Sequence, residues 1–138
     1  MKTRNNKHKV EQKLIGYVAV DSGQVIISDP AWLEHFVSNE APTRYGKNGK
    51  DFNYSYEGCC RAALSKKQAG QLKLRSLNGK KLAVPAVGVA ARTRHGDWLY
   101  PVYGFYRNGD IAAVLIDFDI FEEFEEHISR TKCGIEEA

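Results

Sequence analysis

The stretch Val87–Phe118 constrains the fold more than any other part of the chain, because it holds three strand-like runs separated by two tight turns. The runs are Val87–Thr93, Trp98–Arg107 and Asp110–Phe118, joined by Arg94-His95-Gly96-Asp97 and by Asn108-Gly109. Asn-Gly between two apolar runs is a strong hairpin signal, since a type I′ turn needs φ > 0 at both central residues. Alternation places Trp98, Tyr100, Val102 and Tyr106 on one face, with Leu99, Pro101, Tyr103 and Phe105 on the other. A strand apolar on both faces is at least partly buried on both. Trp98–Arg107 is therefore expected as the centre of an antiparallel meander, hydrogen-bonded on both sides.

The remaining segments fit around this meander. Residues 1–13 are polar and without periodicity, which predicts a flexible basic arm ahead of a single globular domain over 14–138. Ile15–Val20 and Gln24–Ser28 read as short strands about Asp21-Ser22-Gly23. Asp29-Pro30 supplies an N-cap and a first helical residue for a short helix near 30–37, with Trp32, Leu33, Phe36 and Val37 on one face. A long loop, 38–52, follows. Tyr54–Leu64 alternates as a strand, Ser65–Gln68 matches a capping box for one helical turn, and Asn78-Gly79 marks a second hairpin within 71–84. Pro85 places that outgoing strand at an edge or a bend. Asp119, Glu122 and the stripe Ile120, Phe121, Phe124, Ile128 predict a C-terminal helix near 120–131. The expected class is α+β, mainly antiparallel sheet of sandwich or barrel type, with two helices.

Length and charge narrow the partners. A chain of 138 residues suits one core, and no apolar run is long enough to span a membrane. The three cysteines, Cys59, Cys60 and Cys133, form no zinc pattern. With no apolar leader at the start, they fit a reducing, cytoplasmic setting. Net charge is +3, but residues 1–13 carry +4, residues 117–138 carry −6 and the middle carries +5. The two ends either attract each other or stand as solvated ends. A monomer and a homodimer are both compatible with this pattern.

Three ordered stretches carry a resemblance: Val20-Asp21-Ser22-Gly23-Gln24 with Asp29-Pro30, then Ser55-Tyr56-Glu57-Gly58 with Leu64-Ser65 and Ala69-Gly70-Gln71-Leu72, then Gly96-Asp97 with Tyr100-Pro101-Val102-Tyr103. Over about residues 15–118 the chain resembles a family of small uncharacterised bacterial and phage-encoded proteins sharing a VDSG turn, a following DP and a late GDGxYPVY segment. It departs from that pattern at Trp98, where the family has a second glycine. The resemblance implies fold boundaries and carries no activity with it.

Two groups of residues are candidate sites. Asp21, Asp29 and Asp97 fall at strand ends or turns, where converging carboxylates would hold Mg²⁺ or Ca²⁺ or work as acid–base pairs. Asp also serves turns by accepting backbone N–H bonds, and Asp29 already has a capping role. The second group is Arg92, Arg94, Tyr100 and Tyr103, whose guanidinium groups and rings suit a small anionic or nucleotide-like ligand. His95, beside Asp97, has the composition of a general base or of an exposed turn residue. Ser22 lacks the G-x-S-x-G context of a nucleophile elbow, and no phosphate loop is present.

The expected function is a small, non-enzymatic binding or regulatory domain that recognises a protein partner or a small anion on a strand face, without a resident cofactor. A divalent-metal-assisted hydrolase or nucleotidyl enzyme built on the three aspartates is the alternative of a different class. Weak nucleic-acid binding through the basic arm is a third, supported by charge alone.

Overall fold

Nine strands, one 3₁₀ helix and one α-helix make up the described residues, 9–38 and 51–121, of this computed structural model. The chain divides into two compact units rather than the one domain read from the sequence: Ser22–Gly96 is one, and the segments on either side of it form the other. Among the described residues no helix is long and apolar enough to cross a membrane.

The flanking unit is a three-stranded antiparallel sheet. Its strands are β1 (Val10–Ala19), β8 (Leu99–Arg107) and β9 (Asp110–Ile116), in the order β1-β8-β9. β8 is central, as its two apolar faces required. The Asn108-Gly109 turn has φ values of 54° and 84°, the left-handed pair that a type I′ hairpin needs. Two features differ from expectation. β1 starts at Val10, inside the presumed arm, because Val10–Lys13 pair with Gly104–Arg107. A bulge at Ile15 then lets the strand continue to Ala19. The helix expected near 120–131 lies outside the described residues from position 122 onward.

The central unit is a mixed sheet of β2 (Gln24–Ser28), β7 (Ala86–Arg92), β4 (Ala69–Lys73) and β3 (Asp51–Asn53), in the order β2-β7-β4-β3. β3 and β4 run parallel; the other pairs are antiparallel. β7 therefore does not pair with β8, as the meander reading had it. Both of its edges are taken, by β2 and β4, so the four-residue connection Arg94–Asp97 joins strands of different sheets. The small hairpin of β5 (Ser76–Leu77) and β6 (Lys80–Lys81) turns at Asn78-Gly79 as expected, with φ 53° and 80°. No sheet closes into a barrel.

Two helical segments cover this sheet. Asp29 caps the 3₁₀ helix Pro30–His35, its carboxylate accepting from Ala31 N–H at 2.9 Å. With three residues per turn the segment cannot hold a four-residue apolar stripe. Trp32 and Phe36 pack on the core, while Leu33 and Val37 are exposed.

The α-helix α1 (Tyr56–Ala63) replaces the strand expected over Tyr54–Leu64. Ser55 caps it by accepting from Gly58 N–H at 2.9 Å, a contribution of about 1 kcal/mol. Cys59, Ala62 and Ala63 then fall at helical spacing on the buried side. Ser65–Gln68 is a turn and not a helical one: Gln68 takes φ 61° and donates its N–H to Ser65 C=O. The core of the unit is Phe52, Tyr54, Cys59, Ala62, Leu72, Val87 and Ala90.

Candidate functional site

A cavity of about 380 Å³ opens in the central unit where three segments meet. The first is Ser22-Gly23-Gln24, where β2 begins. Gly23 takes φ 73°, which turns the chain into the strand, and Gln24 is the last residue of β2 in register with β7, opposite Arg92. The second is the end of β7 with the turn after it. Thr93, 1% exposed, donates its N–H to Gly23 C=O at 3.0 Å and its hydroxyl to Gly96 C=O at 2.8 Å. Those bonds hold Arg92 and Arg94 on either side of a buried anchor. The third is the C-terminal end of α1 with its cap residue: Cys60, Ala63 and Leu64.

The lining carries a formal charge of +2, all from Arg92 and Arg94, and contains no carboxylate and no histidine. Both arginines are exposed. Leu64, 63% exposed, presents apolar surface beside them. Gln24 spans from β2 to α1, its Nε2 donating to Cys60 Sγ at 3.5 Å. Its Oε1 is buried without a hydrogen-bond partner. Such an arrangement has the size of a small-molecule site and the electrostatics to hold an anion.

The two cysteines of the pair are separated by the helix. Cys59 points into the core and Cys60 lines the cavity; both are free thiols. Burial, and secondarily the neighbouring Cys60, pushes the Cys59 thiol up from 9.0 to about 12. Alkylation needs the thiolate, and a raised pKa leaves almost none near neutrality. Iodoacetamide at about pH 8 is therefore expected to label Cys60 well ahead of Cys59, read by fragment-ion mass spectrometry of the peptide holding both. Equal labelling of the two would refute this placement.

The structure treats the sequence candidates unequally. Arg92 and Arg94 share the cavity. Tyr100 and Tyr103 belong to the flanking unit and are buried, 0% and 7% exposed. Their rings meet Phe118 and Phe121 edge-on, with centroids 5.2 and 5.3 Å apart. They are packing residues, not an open stacking surface. Asp21, Asp29 and Asp97 do not form a metal cluster: among the described residues no group of three His, Cys, Asp or Glu could hold an ion. Asp29 is spent on its cap. His95 is exposed in the turn after β7 and does not line the cavity.

Gln24, Cys60 and Thr93 were not singled out as site residues from the sequence. A signal for part of the lining did exist, since Ser22-Gly23-Gln24, Leu64 and Gly96 each come from one of the three stretches carrying the family resemblance. No protein-family model, no curated protein and no solved structure matches this chain.

Proposed function

We propose that this protein is a binding or regulatory protein whose ligand is a small anion seated in the cavity of the central unit. The observation that carries the reading is the pairing of Arg92 and Arg94 in one cavity of about 380 Å³ with no acid in its lining. A carboxylate or phosphate is held there by charge-assisted hydrogen bonds from two guanidinium groups. The apolar body of the ligand lies against Ala63 and Leu64, and Gln24 supplies an amide to orient it. Catalysis has no support in the lining. Cys60 has no histidine beside it to act as base, and no carboxylate is present to move a proton.

The test is isothermal titration against nucleoside mono- and diphosphates, dicarboxylates and amphipathic monocarboxylates. At least one class is expected to bind. Arg92→Ala and Arg94→Ala are each expected to weaken it by roughly tenfold or more, the worth of one charged hydrogen bond. Affinity should also fall with added salt, as expected for an exposed charge pair. Binding that is unchanged in the double variant, or no binding by any class, would overturn the proposal.

A further inference from the structure

β9 is an open edge. In the order β1-β8-β9 it pairs with β8 on one side, and no strand of the described residues pairs with its other side. Five of its seven residues are exposed, among them Ile111 and Val114 at 52% and 58%. Natural edges are blunted by charges, proline or brevity. β1 follows that practice, carrying Glu11, Lys13 and a bulge. In the central unit β2 has five residues before Asp29-Pro30, and β3 has three. β9 has a bulge at Ala112, after which Ala113–Ile116 run regularly beside Val102–Phe105 with no charge.

The ladder fixes which backbone groups are outward. Asp117 N–H donates to Pro101 C=O at 2.9 Å, so Asp117 faces β8. Orientation alternates along an antiparallel strand, so Leu115 and Ala113 face β8 as well, whereas Val114 and Ile116 present N–H and C=O to the open side.

We propose that β9 is the seam of a homodimer, two copies pairing antiparallel about a two-fold axis at Leu115. Val114 of one copy then exchanges both backbone bonds with Ile116 of the other, and the reverse, giving four hydrogen bonds. The side-chain pairs are Val114 with Ile116 and Leu115 with Leu115, β-branched and apolar partners that stabilise a strand pair. Self-pairing is favoured over an unrelated strand by the charge pattern. The strand is neutral between Asp110 and Asp117. About this axis Asp117 meets Ala113 and Asp110 meets Ile120, so no acid faces an acid. The product is one continuous six-stranded sheet.

Two short edges bury little area, which predicts an association that depends on concentration. Sedimentation equilibrium of the full chain from micromolar to millimolar concentration is expected to rise from 15.5 kDa to twice that mass. Val114→Pro removes an outward N–H without touching the bonds to β8, and is expected to hold the protein at monomer mass with an unchanged circular dichroism spectrum. Val114→Lys reaches the same end by charge should the proline variant fold poorly. A wild-type chain that stays monomeric throughout, or a dimer that persists in the folded variants, overturns the proposal.

Discussion

Gly58→Ala is expected to cost the central unit at least about 3 kcal/mol of stability, the upper range for forced overpacking. Glycine inside a helix is ordinarily a weakness, and alanine there gains about 0.5–1 kcal/mol. The sign reverses at this position because a Cβ on Gly58 would lie 1.8 Å from the Asn53 carbonyl oxygen. That oxygen cannot retreat. It accepts from Ser55 N–H at 2.8 Å, and the next residue, Tyr54, is bonded to Lys73 C=O at 3.0 Å. Relief requires α1 to move off β3, which takes Cys60 and Leu64 away from the cavity. Guanidinium denaturation reads the effect, and a midpoint equal to or above wild type would show that the helix does not approach β3 so closely.

The second large effect belongs to the flanking unit. Tyr100→Ala is expected to cost about 3–5 kcal/mol, the range for deleting a buried aromatic ring. Tyr100 is fully buried and its ring meets that of Phe118 at 5.2 Å, edge-on. Removing it forfeits both the apolar area and the ring contact. Equilibrium unfolding of the variant checks this; a loss below about 1 kcal/mol would return Tyr100 to the list of surface residues. The outcome also bears on the ligand site, because a ring that holds a core together is not available to stack on a base.

These two residues show where the sequence was legible and where it was not. The Asn78-Gly79 and Asn108-Gly109 turns were legible because their left-handed backbone is a local demand that few other residues meet. Asp29-Pro30 was legible for the same reason, as capping is settled within three residues. Strand partners are a global matter. Arg94–Asp97 looks like a hairpin connection, yet what decides β7 is competition for its two edges, won by residues 24–28 and 69–73. Over Tyr54–Leu64 two periods coexist in the same letters. The alternating reading uses Tyr54, Tyr56, Cys60 and Ala62, while the helical reading uses Cys59, Ala62 and Ala63. Ser55 as a cap tips the balance. Arg92 and Arg94 stood out by charge, but the segments completing their cavity are remote in sequence.

The division of the chain has a consequence for how it folds. Ser22–Gly96 is an insertion into a simple three-stranded ribbon, so β1 is synthesised long before β8 exists. The inserted unit contains all of its own strand partners and can assemble while β1 waits. Once folded, it shortens the loop that must close before Val20 N–H reaches Trp98 C=O, lowering the entropy cost of the longest-range pairing in the molecule. During that wait β1 is an orphan strand, and Glu11 and Lys13 on it make its premature pairing with other nascent chains unfavourable.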